Sequence, residues 1–498
     1  MAKMTNLPSA QALNERSVYV VAALLSLALS AWSGYAQQIP NPDALYYLSA
    51  AEFFHDGRWQ QGIAVYRWPF FSLTIASVMT LTGATAQVAA QTIDALFDCA
   101  TVILFIALVR RLGSEVGARN LAAWAAFVIV LHPKLAVMRA AIVRDHGYYA
   151  FVLLTFYLVV RDHQQPARWI KPAIACSVVV AALFRLEALL LVAVVPAFYL
   201  VAYSSGLPRR LLAVLAVLLA GLVLAVVYAI WTGVMMNLAG PGGAEADVLI
   251  RFREIGDTMR WRAARLSEVV PPIRNAGFLA YVGFAVAALI DALLRGVTIP
   301  LAILAGFAFA PRRLLSDFAA RFVLWFAGWQ VVLLLAFAVV TFFIDWRFVM
   351  LFALIMTIPA VFTVAEVAAE WRARLPGSRL LLPIVLLAVV VPWIVDFPRF
   401  SKLEYLREAG QWIGRNVPAD AKVLTNDGRI AYFSGRAFHE ITLLMVADTT
   451  ERAVRAADYV AVESARNAPP AFTRDLQARM VATIDGANNR SVFIYKTK

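Results

Sequence analysis

The sequence predicts an all-α polytopic membrane protein that carries a small α/β domain at its C-terminal end. Of its 498 residues, 61% are hydrophobic and only 15% are charged, and the mean hydropathy is +0.71. An average soluble domain is about half apolar and a quarter charged. The length accommodates about ten spans of roughly 20 residues each, with about a fifth of the chain left over.

Basic turns between the apolar runs predict the topology, because Lys and Arg concentrate in cytoplasmic loops. The first run, about Val18 to Ala36, should therefore enter with its N-terminus in the cytoplasm. Counting onward predicts about eleven crossings and an exoplasmic C-terminus at the plasma (inner) membrane. The turns used are Arg110/Arg111/Arg119, Arg161/Arg168/Lys171, Arg209/Arg210, Arg312/Arg313 and Arg372/Arg374/Arg379. Gly34 and Ala36 also permit a cleaved signal peptide, and in either case the next loop faces outward.

Individual apolar runs differ in length. Ala86 to Val109 and Leu121 to Met138 are the next two predicted spans. Trp68 to Gly83 and about Phe278 to Ile290 are short or interrupted, which is typical of interfacial helices, so they are predicted not to cross.

The composition changes abruptly at Pro398, and this change defines the predicted domains. Residues 1–397 form the transmembrane catalytic domain, which includes an exoplasmic loop at 37–85 with amphipathic helices. Residues 398–498 form the small exoplasmic α/β domain. The segments AKVLTNDGR, DYVAVES and SVFIYK are predicted as its short strands, after a helix that presents Leu403, Leu406, Gly410 and Ile413 at helical spacing.

Two function classes receive little support. The net charge of +13 suggests nucleic acid in a soluble chain, but many of these arginines lie in short loops where they orient helices. Nucleic-acid binding is therefore not expected. Cys99 and Cys176 both lie in apolar helical stretches, so neither a disulfide framework nor a zinc site is predicted.

The first outer loop contains the candidate catalytic acid, Asp43, just before a predicted helix. Asp is a favoured helix N-cap, so a purely structural role is one interpretation. The other is a general base that takes a proton from an acceptor hydroxyl or amine. Tyr46 and Arg67 of the same loop are candidate substrate-binding residues, although Arg67, next to aromatic residues and a proline, also resembles an interfacial anchor.

A second charged segment, VRDHGYY, contains Arg144 and Asp145 at the predicted outer end of the third span. Such charges are often snorkelling side chains at the membrane boundary. Asp145 is alternatively a second active-site acid or the ion-pair partner of Arg144. A divalent cation held by Asp43 and Asp145 is a further alternative, because hard cations prefer carboxylates.

Two arginines occur within or between apolar runs. Arg185 and Glu187 interrupt a long apolar stretch, and ionisable groups at such positions are functional candidates by default. We expect a helical hairpin whose outer turn places Arg185 in a cavity, and no Arg185–Glu187 pair, because residues two apart on a helix do not face each other. Arg347 can bind phosphate in bidentate fashion or anchor the interface beside Trp346.

Taken in order along the chain, these motifs resemble the GT-C superfamily of integral-membrane glycosyltransferases. The similarity is to the branch of the protein O-mannosyltransferases and the aminoarabinose transferase of lipid A. It rests on PDALYYLSAAEFFHDGRW, VRDHGYY, LFRLEALLL, DWRFVMLFALIMTIP and DAKVLTNDGRIAYFSGR. The resemblance implies a polyprenyl-phosphate-linked sugar donor on the exoplasmic face and an inverting transfer that is metal-independent or metal-assisted.

The resemblance also implies roles for particular residues. Asp43 matches the acidic position of the first outer loop, although Ala44 stands where that branch commonly has a second acid. Arg347 matches the basic residue near the lipid phosphate, and Arg185 matches an arginine of the helical hairpin. The predicted function is sugar transfer to a lipid, glycan or protein acceptor, with Asp43 as base. The alternatives are a flippase of lipid-linked sugars and an inactive scaffold.

Overall fold

The computed structural model describes two compact units. The described residues are 15–114, 120–203, 248–269, 277–309, 314–373, 378–436, 456–466 and 479–497, together with 208, 211, 214, 215 and 454. Unit 1 comprises 1–30, 94–139 and 144–397, and unit 2 comprises 31–93, 140–143 and 398–498, each as far as described. Of the basic turns used for the topology, Arg119, Arg209/Arg210, Arg312/Arg313 and Arg374 lie outside the described residues.

Helices account for most of the described part of unit 1. Many of their apolar residues are buried at helical spacing, and others are exposed on the surface of the unit. In chain order they are most of α5 (Ala86–Leu112), α6 (Leu121–Val130), α7 (Pro133–Met138), α8 (Asp145–Gln164), α9 (Ile170–Phe184), α10 (Leu191–Tyr203), α11 (Val248–Val269), α12 (Gly277–Val297), α13 (Ile299–Ala308), α14 (Asp317–Thr341), α15 (Met350–Arg372) and α16 (Ser378–Asp396), with the first part of α1 (Glu15–Ala36).

Six of the described helices are long and apolar enough to cross a membrane: α1, α5, α12, α14, α15 with the 3-10 turn before it, and α16. This confirms the prediction of a mostly helical protein with several apolar spans. The predicted number of crossings stays a prediction.

Two of the apolar runs differ from the expectation. The run Leu121 to Met138 is not one helix, because α6 ends at Val130 and α7 starts at Pro133. Proline lacks an amide hydrogen and disfavours a helical residue before it, so the break is a local consequence of Pro133. The stretch Phe278 to Ile290 was expected to be short or interrupted, which is wrong: α12 has 21 residues without a break.

Unit 2 begins with the end of α1 and continues with three helices between residues 37 and 85. These are α2 (Pro42–His55), α3 (Trp59–Val65) and α4 (Phe70–Thr82). With 13 residues, α4 is about 20 Å long, which is shorter than the roughly 30 Å hydrocarbon core. It is thus as short as the sequence predicted. Tyr47 on α2 packs edge-on against Tyr66 and Phe71, which joins the three helices.

The C-terminal part of unit 2 contains helices and a four-stranded sheet. The elements are α17 (Glu404–Asn416), β1 (Val423–Thr425), α18 (Gly428–Phe433), β2 (Tyr459–Ala465), β3 (Met480–Asp485) and β4 (Arg490–Lys496). The strand order is β1-β2-β4-β3, with β1 parallel to β2 and the other neighbours antiparallel. The three predicted strands are confirmed. The edge strand β3 was not predicted, because most of its side chains are exposed and only Ala482 and Ile484 pack against the core.

Candidate active site

Arg185 lies at a break between two helices of unit 1. Helix α9 ends at Phe184, and Arg185 has an extended backbone (φ −143°, ψ 121°) before a 3-10 helix, Leu186–Leu190. Because Arg185 is not helical, the helical spacing rule does not apply to Arg185 and Glu187, which lies in the 3-10 helix. Arg185 Nη2 lies 2.8 Å from Glu187 Oε1. The expectation that these two residues would not pair was wrong, because it assumed that both were helical.

Asp145 supplies a second carboxylate to the same guanidinium group. It is the first residue of α8, and its Oδ1 accepts a hydrogen bond from Arg185 Nη1. The side chains of Asp145 and Arg185 are 4% and 10% exposed. Charge-assisted hydrogen bonds of this kind are stronger than neutral ones. Asp145 thus holds Arg185, a partner that the sequence analysis did not name.

A glycine permits this arrangement. Gly147, in the first turn of α8, faces Phe184 so closely that an added Cβ would lie 2.5 Å from the Phe184 ring. The helices α8 and α9 therefore approach each other at the residue before Arg185. This contact helps to fix Arg185 next to Asp145.

Aromatic rings surround the guanidinium group. The Cζ atom of Arg185 lies 5.5 Å from the centroid of the Tyr148 ring and 5.3 Å from that of Phe348. Cation–π attraction at these distances strengthens when water is excluded. The hydroxyl of Tyr149 donates a hydrogen bond to the carbonyl oxygen of Arg347 at 3.0 Å, which ties α8 to the turn before α15.

Five residues of unit 1 form what we call the Arg185 cluster: Arg144, Asp145, Arg185, Glu187 and Arg347. The positive charges of Arg144 and Arg347 act on the Asp145 carboxylate in addition to that of Arg185. Three guanidinium groups and two carboxylates leave the cluster with one net positive charge. A cluster of this composition favours a singly charged anion.

A buried pair behind the cluster was missed from the sequence. His146 Nδ1 lies 2.8 Å from Asp98 Oδ1, and the two side chains are 0% and 2% exposed. Ser30 Oγ donates to the other oxygen of Asp98 at 3.4 Å. The sequence does contain an indication of this pair, because an acid such as Asp98 in the middle of an apolar helix normally has a partner. The pair fixes the first turn of α8, where Asp145 also lies.

The remaining predicted site residues belong to unit 2. Asp43 is the second residue of α2, and the N-cap residue is Asn41. The interpretation of Asp43 as the cap is therefore wrong. Asn41 instead exchanges two hydrogen bonds with the main chain of Ile142: its Oδ1 accepts at 2.9 Å and its Nδ2 donates at 3.4 Å. Asp43 is half-buried, whereas Tyr46 (37%) and Arg67 are exposed.

A divalent cation was one alternative suggested by the sequence. Within the described part of the chain, no group of three or more His, Cys, Asp or Glu side chains has an arrangement that could hold a metal ion.

Comparison with known proteins gives matches at the level of structure. No family model and no curated protein matches the sequence. The structure resembles the Archaeoglobus fulgidus oligosaccharyltransferase in complex with Zn and sulfate, with a TM-score of 0.53, 12% identity, and coverage of 90% of this chain and 68% of that one.

Two further structures match over nearly the whole of this chain. ArnT from Cupriavidus metallidurans bound to undecaprenyl phosphate has a TM-score of 0.52 and 15% identity, with 96% of this chain and 97% of that chain covered. The arabinofuranosyltransferase AftD from Mycobacteria has a TM-score of 0.51 and 14% identity, with 98% of this chain but 42% of that chain covered.

The chain has the fold of the GT-C membrane glycosyltransferases, to which all three of these proteins belong. The resemblance stated from the sequence is confirmed at the level of fold. At these identities, fold is what the comparison shows, and the activity has to be argued from the residues.

Proposed function

We propose that this protein is a glycosyltransferase that moves a sugar from a polyprenyl-phosphate-linked donor to a lipid, glycan or protein acceptor on the exoplasmic side. The observation that supports this proposal most directly is the Arg185 cluster, in which Arg185 joins two carboxylates and the five residues together carry one net positive charge. A phosphodiester that links a sugar to a polyprenol carries one negative charge, which matches it. The apolar residues around the cluster suit the prenyl chain.

The reaction is a single displacement with inversion. The acceptor oxygen or nitrogen forms a bond to the anomeric carbon while the bond from that carbon to the phosphate oxygen breaks. The bonding pair leaves with the phosphate, so its charge rises from one negative to two. Arginines stabilise this developing charge, and a single such electrostatic contact is typically worth about 100- to 1,000-fold in rate. Arg144 and Arg347 take this role, and Arg185 holds the two carboxylates in place.

Asp43 is the proposed base. It takes the proton that the acceptor loses, and this step is typically worth about 100- to 10,000-fold. A phosphate leaving group needs charge neutralisation and no proton, so one acid is sufficient. This agrees with the presence of Ala44, rather than a second acid, after Asp43. Tyr46 and Arg67 are exposed on the same loop and are proposed to bind the donor at the membrane surface.

The direct test is a transfer assay with purified protein in nanodiscs. Undecaprenyl phosphate linked to different pentoses and hexoses is added, and release of undecaprenyl phosphate is followed by mass spectrometry. We expect release with at least one donor once a suitable acceptor lipid extract is supplied. Movement of labelled donor across a vesicle bilayer without any release would reject the transferase and favour the flippase.

A further inference from the structure

A glutamine in the middle of an apolar helix has no role in the mechanism above. Gln330 is the fourteenth residue of α14, and between Arg321 and Thr341 its neighbours on that helix are apolar except for the indole N–H groups of two tryptophans. A polar side chain at such a depth is costly unless it faces a cavity or a partner. The side chain of Gln330 makes no hydrogen bond with another residue of the described part of the chain.

The side chain of Gln330 faces a cleft in unit 1. Two adjoining cavities of about 30 and 40 Å³ share Tyr148, Glu187, Gln330 and Leu333 in their walls, and the larger one also reaches Arg185. We call them together the Gln330 cleft. In the larger cavity the rest of the wall is apolar and comes from α14, at positions three, four and seven residues after Gln330, and from Phe348. The smaller cavity is lined further by side chains of α8, the 3-10 turn before α10, α10, α14 and α15, which are apolar except for the indole N–H group of Trp329.

The size of the cleft limits what enters it. A water molecule needs roughly 10–15 Å³ of such space, so each cavity holds only a few water-sized groups and takes a small polar substituent but not a sugar ring. The carboxylate of Glu187 accepts hydrogen bonds, and the amide of Gln330 both accepts and donates them. These groups suit a hydroxyl or amine substituent that projects from a ring bound outside the cleft.

We propose that Gln330, together with Glu187, recognises one hydroxyl or amine substituent of the donor sugar and so determines which sugar is accepted. The inference rests on the proposed function, since the sugar is bonded directly to the phosphate that the Arg185 cluster is proposed to bind. Arg185 borders the same cleft, so a substituent of that sugar lies within reach. A donor that lacks this substituent leaves the polar groups of the cleft without partners, which lowers its affinity.

The test compares donors that differ by one substituent. The probes are undecaprenyl phosphate without sugar, its sugar-linked forms, and analogues that lack one hydroxyl or amine at each ring position in turn. Binding to the full-length protein in nanodiscs is measured for the wild type and for Gln330→Met, which keeps the length of the side chain. Gln330→Leu is a second variant if the first does not fold. Val332→Leu is the matched control, because Val332 lies on the same helix and is 49% exposed outside the cleft.

We expect the wild type and Val332→Leu to bind one analogue about tenfold more weakly than its parent donor, as for one lost hydrogen bond. Gln330→Met should bind the analogue and the parent donor with affinities that differ by no more than about twofold, and its affinity for undecaprenyl phosphate should be unchanged. If Gln330→Met discriminates as the wild type does, the role of Gln330 is refuted while the transferase stands. If undecaprenyl phosphate and its sugar-linked forms do not bind at all, the proposed function fails and this inference fails with it.

Discussion

Replacement of Arg185 by methionine separates the structural role of the Arg185 cluster from its proposed catalytic role. The substitution keeps much of the apolar stem and leaves the carboxylates of Asp145 and Glu187 without the group that joins them. Breaking a buried ion pair by removing one partner typically costs 3–5 kcal/mol. Asp145 is 4% exposed but Glu187 is 34% exposed and can be hydrated. We therefore expect a loss near the lower end, about 3 kcal/mol.

The triple variant Arg185→Met/Asp145→Asn/Glu187→Gln removes both carboxylate charges together with the guanidinium group. No uncompensated charge of these three then stays buried, and replacing a whole buried ion-pair group is often neutral or stabilising. We expect its stability to return to within about 1 kcal/mol of the wild type. Transfer should stay at least about 100-fold reduced, because the charges that organise the phosphate site are gone.

Stability is measured as the midpoint of thermal unfolding in detergent by tryptophan fluorescence, and transfer by release of undecaprenyl phosphate. Asp145→Asn and Glu187→Gln as single variants complete the comparison. If Arg185→Met unfolds at the same temperature as the wild type and the triple variant adds nothing, the ion pairs do not exist as described. If the triple variant transfers sugar at a normal rate, Asp145, Arg185 and Glu187 have a structural role only.

Three further predictions concern other residues. Asp43→Asn should abolish transfer without changing the unfolding temperature; near-normal turnover would show that Asp43 is not the base. Asn41→Ala should lower the free energy of unfolding by about 1–2 kcal/mol, because it removes two hydrogen bonds to the main chain of Ile142. An unchanged unfolding temperature would contradict this contact. Gly147→Ala should lower the free energy of unfolding by about 1–3 kcal/mol, because the added methyl group displaces Phe184. Gly306→Ala is the control: Gly306 has open space around it, so this change should leave stability unchanged or raise it. Equal effects of the two substitutions would refute the close approach of α8 and α9.

Patterns of several residues predicted the fold well. The apolar runs, the change of composition at Pro398 and the alternating strand segments each depend on many side chains, so single irregularities did not hide them. The break at Leu131–Pro133 was predictable as well, since a proline within a helical pattern commonly ends the helix. The edge strand Met480–Asp485 was harder to predict, because only Ala482 and Ile484 of its side chains pack against the core and the pattern is therefore short and weak.

The candidate site was harder to predict, because its contacts depend on local backbone conformation and on distant elements. The Arg185–Glu187 pair forms because the backbone of Arg185 is extended, and the apolar residues on both sides do not predict this conformation. Asp145 reaches the same guanidinium group from 40 residues away. These residues share one feature that the sequence does show: a polar side chain within an apolar run is energetically unfavourable unless it has a partner or a cavity. Asp98, Arg185 and Gln330 each interrupt such a run, and each is either paired or faces a cleft. A search for polar residues that a membrane helix does not need therefore finds the site more directly than a search for motifs.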